Sequence, residues 1–134
     1  MPRFVVLLHE TPPGYARPTH YDLMLEQSGV LWTWALESLP QAGGGAIPAE
    51  RLADHRLDYL QYEGEVAGNR GRVVRVDQGL YSQLPAQANA LSFNLQGTVL
   101  RGVLVLTPQA GDGGQWQVQF DTHDPPAFNL QSSP

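Results

Sequence analysis

The apolar residues of this chain come in runs too short for packed helices, and turn-forming residues separate almost every pair of runs. Arg3–His9, His20–Glu26, Val30–Leu36, Arg72–Val76, Leu91–Leu95, Val99–Leu106 and Gln115–Phe120 are each five to eight residues long and rich in β-branched, aromatic or alternating apolar positions. Ser28-Gly29 between the second and third runs is a hairpin signal, and the Gly111–Gly114 stretch before the last is a turn signal. Asp77-Gln78-Gly79 reads as a turn leading into Leu80-Tyr81. Only Glu50–Leu60 accepts a helix, with Leu52, Leu57 and Leu60 as a partial stripe and His55 and Tyr59 one turn apart. The expectation is a mostly β, compact single-domain β-barrel with at most one short helix, because closure removes exposed strand edges. Residues 1–120 would form the barrel, and 121–134, rich in proline and serine, a flexible C-terminal tail.

The chain has 134 residues, enough for one domain with one core. It has no cysteine, which excludes a disulfide scaffold, a thiol nucleophile and thiolate-ligated zinc. All eight basic residues are arginine, so Schiff-base and nucleotidyl-lysine chemistry are excluded as well. The net charge of −5 provides no general attraction for nucleic acid, and any such binding must come from a local arginine patch. Arg17, Arg70, Arg72 and Arg75 are candidates for one. No signal-like segment precedes the first strand, and no apolar run approaches the ~18–20 residues of a membrane helix. A soluble, cytoplasmic monomer that does not engage membrane is expected.

His20-Tyr21-Asp22-Leu23-Met24-Leu25-Glu26 carries the chemistry. On a strand, Tyr21, Leu23 and Leu25 share one face, and His20, Asp22, Met24 and Glu26 share the other. An imidazole and a carboxylate then lie ~6.5–7 Å apart along the strand, able to converge on one ion. The plain alternative is a solvated polar face on a half-buried strand. His9 ends the preceding strand, where an antiparallel neighbour would bring it to His20. Two imidazoles and a carboxylate suit Mn²⁺, Zn²⁺ or Fe²⁺ and leave positions open for substrate. Gly43-Gly44-Gly45 lacks the lysine of a phosphate-binding loop and reads as a connector.

The ordered set R-F-V-V-L-L-H, H-Y-D-L-M-L-E, G-V-L-W-T-W-A, D-H-R-L-D-Y-L-Q-Y-E-G and the later L-x-G-x-x-L-R-G-x-x-x-L resembles the phosphoesterase domain of bacterial DNA ligase D, from about Arg3 to Phe120. The resemblance implies a manganese-dependent activity that trims 3′ ends, removing terminal ribonucleotides and 3′-phosphates during end repair. It implies His9, His20 and Asp22 as metal ligands, and His55 and Tyr59 on the phosphate side. Arg51 corresponds to an arginine that precedes the family's D-H pair. This chain departs from the family in a longer loop between His9 and His20, in an altered glycine-rich stretch after E-G, and in Met24, which stands where the family's strand carries an arginine.

Two functions follow from these features. One is a metal-dependent 3′-phosphoesterase acting on DNA ends or DNA bearing a 3′-ribonucleotide, working beside DNA ligase or other end-joining proteins. The other is a catalytically weak or inactive module of the same fold that binds metal or DNA ends. The retained His–Asp–Tyr set favours the first; Met24 and the negative charge favour the second.

Overall fold

The computed structural model describes residues 1–111 and 113–122, and these form nine antiparallel strands and one 3₁₀ turn. The strands are β1 (Arg3–Glu10), β2 (His20–Gln27), β3 (Val30–Leu36), β4 (Ile47–His55), β5 (Gly64–Glu65), β6 (Arg72–Gln87), β7 (Ala90–Gly97), β8 (Arg101–Pro108) and β9 (Gln115–Asp121). Their order is β1-β2-β3-β4-β9-β8-β7-β6, and a further pairing of β1 with β6 closes the ring. Two-residue β5 pairs only with β6, outside that ring. The expected single-domain β-barrel is present. Of the tail placed at 121–134, Asp121 completes β9, and residues 123–134, including His123, lie outside the described residues.

Two apolar clusters form because β1 and β2 are covered on both faces. Inward-facing Phe4, Val6, Leu23 and Leu25 meet Trp34, Tyr81, Phe93, Leu95 and Leu104 in the barrel interior. Their neighbours in sequence, Val5, Leu7 and Met24, face outward yet are fully buried beneath Leu60 and Val66. The Leu57–Leu60 turn and the segment after it lie over this outer face. Burial on both sides explains why Phe4–Leu8 is continuously apolar rather than alternating.

Two expectations about local structure are corrected. Glu50–Leu60 is not a helix: strand β4 runs to His55, and only Leu57–Leu60 turns, as 3₁₀. The leucine spacing that suggested a stripe spans two elements. Likewise Asp77-Gln78-Gly79 is no turn but the middle of a sixteen-residue strand. A Cβ at Gly79 would lie 2.2 Å from the Gln96 carbonyl oxygen, so this glycine permits close strand approach. Asp77, 3% exposed, accepts hydrogen bonds from the backbone N–H groups of Gln78, Thr98, Val99 and Leu100. It satisfies the tight β7–β8 connection from the neighbouring strand. No helix among the described residues is long and apolar enough to cross a membrane.

Candidate metal centre

β1 and β2 pair with His9 opposite His20, so one end of the hairpin's outer face presents His9, His20 and Asp22 together. One ligand atom from each lies within 4.8 Å of the others. His20 and Asp22 are buried, which corrects the solvated-face alternative. What covers them is the loop between β1 and β2 on one side and the segment before β6 on the other.

Each imidazole is fixed by a backbone carbonyl. His20 Nδ1 donates to Pro18 O at 2.8 Å, and His9 Nε2 donates to Arg70 O at 2.7 Å. A carbonyl oxygen only accepts, so these ring nitrogens carry the protons and the opposite ones are bare in the neutral rings. The bare atoms point at one carboxylate: His20 Nε2 is 3.0 Å from Asp22 Oδ1, and His9 Nδ1 is 3.3 Å from Oδ2. Lone pairs facing carboxylate oxygens repel unless a proton or a metal cation lies between them. Backbone-anchored imidazoles with their free nitrogens converging on a carboxylate are the usual surroundings of a bound metal.

The electrostatics agree. Burial pushes the Asp22 carboxyl upward, but the adjacent His20 and His9 imidazoles outweigh it and hold the pKa below the ordinary value. The Asp22 hydrogen bond raises the His9 pKa, against the effect of burial. Asp22 Oδ1 is buried and receives no well-aligned hydrogen bond despite its closeness to His20. An ionised carboxylate with an orphaned buried oxygen beside two nitrogen donors fits a divalent cation, and the mixed nitrogen and oxygen set suits Mn²⁺, Fe²⁺ or Zn²⁺.

Gly71 sets the Arg70 carbonyl in place. Its φ is +89°, and an added Cβ would sit 1.9 Å from Glu10 O, so the chain crosses the end of β1 in backbone contact. No side chain fits at that crossing. Sequence reading missed this use of the Arg70 and Pro18 carbonyls, because main-chain acceptors leave no mark in residue type.

The three ligands open into a cavity of about 110 Å³ that also touches Tyr15, Arg17, Met24, His55, Tyr59 and Arg70. His55 ends β4, its Nδ1 donating to Ala53 O at 2.9 Å, and Tyr59 from the 3₁₀ turn meets it edge-on at 5.6 Å between ring centroids. These two expected residues therefore join the ligands. Arg51 does not. The β3–β4 register slips by one residue between the Thr33–Leu52 and Leu31–His55 pairs, which puts His55 on the Leu52 face and leaves Arg51 on the opposite one. There the Arg51 guanidinium stacks over Trp34 and Trp32, 4.4 and 5.2 Å from the ring centroids, and contacts Asp54 at 3.5 Å. Of the four arginines considered as a patch, Arg17 and Arg70 border the cavity and Arg72 and Arg75 do not. Arg17 is held by Glu50 at 2.8 Å. Tyr15, its ring 6.4 Å from His9, was not foreseen; it sits in a proline-rich loop with no pattern to single it out.

Residues 14–108 match the family model described as the DNA Ligase D 3′-phosphoesterase domain, which is more than half of the chain. The chain belongs to that family. It is 31% identical over 125 residues to the multifunctional non-homologous end joining protein LigD of Pseudomonas aeruginosa, covering 85% of this chain and 14% of that protein. It is 37% identical over 71 residues to the protein of that name from Mycobacterium bovis, covering 50% of this chain and 9% of the other. The corresponding match in Mycolicibacterium smegmatis is 34% over 83 residues, 59% of this chain and 10% of the other. The chain thus spans a small fraction of the length of these relatives. His9 precedes the stretch that matches the family model, and its place in the centre rests on the geometry above.

Proposed function

We propose that this protein is a metal-dependent 3′-phosphoesterase that trims 3′-phosphate or 3′-ribonucleotide ends of nucleic acid in end joining. The observation that carries the reading is the convergence of two backbone-anchored imidazole nitrogens on the buried Asp22 carboxylate, at one wall of a cavity that also holds His55, Tyr59 and Arg17. His9 Nδ1, His20 Nε2 and an Asp22 oxygen would hold the cation, Mn²⁺ in this proposal. Bound there, it supplies Lewis-acid polarisation of a phosphoryl oxygen and a more acidic water.

The chain's own groups do the rest. Pro18 O and Arg70 O keep the two imidazoles in the metal-binding tautomer. Ala53 O anchors His55 Nδ1, so the opposite nitrogen, when protonated, faces the cavity as the acid for the departing sugar oxygen. The Tyr59 ring sets the orientation of His55, and its hydroxyl is a donor for a phosphoryl oxygen. Arg17 is the guanidinium on the rim able to neutralise the phosphate. Leu52, Val66 and Val73 make the apolar part of the wall and limit water.

A second reading, a binding module without turnover, is favoured by one observation. Met24, 1% exposed, fills the cavity floor and the outer apolar cluster with a side chain that has no affinity for phosphate. Hydrolysis of a primer–template carrying a 3′-phosphate or one 3′-ribonucleotide, with and without Mn²⁺, separates the two. Turnover that requires Mn²⁺ and disappears in Asp22→Ala supports the enzyme; Mn²⁺ binding without turnover supports the module.

A further inference from the structure

The metal-centre cavity, at about 110 Å³, is below the ~300–1,000 Å³ of sites that enclose a small organic ligand. It has room for a phosphoryl group and its surroundings, and the nucleoside attached to that group must lie elsewhere. Two neighbouring cavities share walls with it. The one behind Arg17 and His20 is about 200 Å³ and has no tyrosine, tryptophan or phenylalanine on its walls. The other, about 360 Å³, lies between the 3₁₀ turn and the 65–70 segment and shares Tyr59, Val66 and Arg70 with the metal-centre cavity.

Resting on the phosphoesterase reading, we propose that this second groove is a nucleotide subsite. It holds one unpaired nucleotide of the strand whose 3′ end is at the metal centre. Its aromatic element is Tyr62, 40% exposed, packed edge-on against Tyr59 with ring centroids 6.0 Å apart. Tyr59 in turn packs edge-on against His55, so a chain of rings leads from the groove to the reacting end. An exposed tyrosine face braced by a perpendicular ring is a platform on which any base can stack.

The charges are placed to match. Four arginines have a carboxylate within 4.0 Å: Arg3, Arg17, Arg51 and Arg72. Arg56 and Arg70, both lining this groove, are in no such pair among the described residues. Arg70 uses Nε on Ala67 O and keeps its terminal nitrogens for an outside partner. Asp58 and Glu65 also line the groove. They accept from base amino groups or sugar hydroxyls and oppose a continuous run of phosphates, which restricts the site to a single nucleotide. With two arginines and two carboxylates the groove lining is balanced, in a chain whose net charge is −5.

The test is the affinity of the metal-loaded protein for inorganic phosphate and for 3′-phosphorylated deoxynucleotides one and two residues long, followed by titration calorimetry under non-turnover conditions. Affinity is expected to rise about tenfold from inorganic phosphate to one residue, the scale of one stacked base, and little from one residue to two. Tyr62→Ala and Arg56→Ala should each remove most of that step, Tyr62→Phe should restore it, and Arg101→Ala, which removes equal charge elsewhere, should leave it intact. Equal affinity for inorganic phosphate and the mononucleotide, no binding, or a step that survives Tyr62→Ala and Arg56→Ala, overturns the subsite. Turnover measured separately tells the two proposals apart: hydrolysis of the 3′-phosphates without the affinity step ends the subsite alone, and the step without hydrolysis ends the enzyme alone.

Discussion

His9 and His20 face each other across the β1–β2 ladder with ring centroids 4.9 Å apart, yet each is anchored by a different loop. Pro18, from the loop between the two strands, orients one ring. Arg70, sixty-one residues beyond His9, orients the other. The centre is complete only when the 66–71 segment is docked on the end of β1.

That dependence makes Gly71 a determinant of metal affinity although it touches no ligand. Gly71→Ala forces a Cβ into the Glu10 carbonyl and displaces Arg70 O from His9. Mn²⁺ affinity should fall about 10–100-fold, the usual cost of losing a partner that orients a ligand. Calorimetric titration beside a circular dichroism melt checks it; unchanged affinity would show that the Arg70 carbonyl does not orient His9.

Met24 tests whether the outer apolar cluster is a true core. The side chain packs with Val5, Leu7, Leu31 and Val73 and is 1% exposed. Met24→Ala should cost roughly 2–5 kcal/mol in urea unfolding, as for other buried large-to-small changes. A cost below ~1 kcal/mol would mean that the cavity floor collapses freely or is wet.

Asp77 shows how much of this fold was legible and where legibility stopped. The strand runs, the hairpin at Ser28-Gly29 and the shared face of His20 and Asp22 follow from alternation and turn chemistry, which are local. Asp77-Gln78-Gly79 has the composition of a turn, but its carboxylate serves a turn in another part of the chain, and nothing local records that. The separation of Arg51 from His55 is hidden in the same way: one bulged residue in β4 puts them on opposite faces, and a bulge has no residue signature here. The second apolar cluster was hidden because its lid is a four-residue 3₁₀ turn with no periodicity to read.

Asp77→Ala strands the backbone donors of Thr98, Val99 and Leu100, of which only Leu100 is buried. Water can serve the other two. The expected loss is roughly 2–4 kcal/mol in denaturant unfolding, with protection of the Leu100 amide from hydrogen exchange falling most. Asp77→Asn, which keeps one acceptor, should lose less; equal losses for the two would show that shape rather than hydrogen bonding matters.

Glu26 gives a pH signature independent of the metal centre. The Arg3 guanidinium, 2.8 Å away, holds its carboxyl down to about 2 from an ordinary 4.5. A depressed carboxyl stabilises the fold above its unfolded pKa, and that contribution is lost as pH falls from about 4.5 towards about 2. In Arg3→Ala the Glu26 carboxyl, followed by carbon NMR, should titrate near its ordinary value, and the mutant should lose less stability than the parent across that interval. A midpoint unmoved by the substitution would remove Arg3 as the cause.

The most direct test of the account is Mn²⁺ uptake, read from the loss of the free-ion electron paramagnetic resonance signal on titration with protein. Wild type should remove one equivalent of Mn²⁺, and Asp22→Asn and His9→Ala should each remove far less while melting as folded proteins. Failure of the folded wild type to take up Mn²⁺, or uptake that persists unchanged in Asp22→Asn, would contradict a metal centre built from His9, His20 and Asp22.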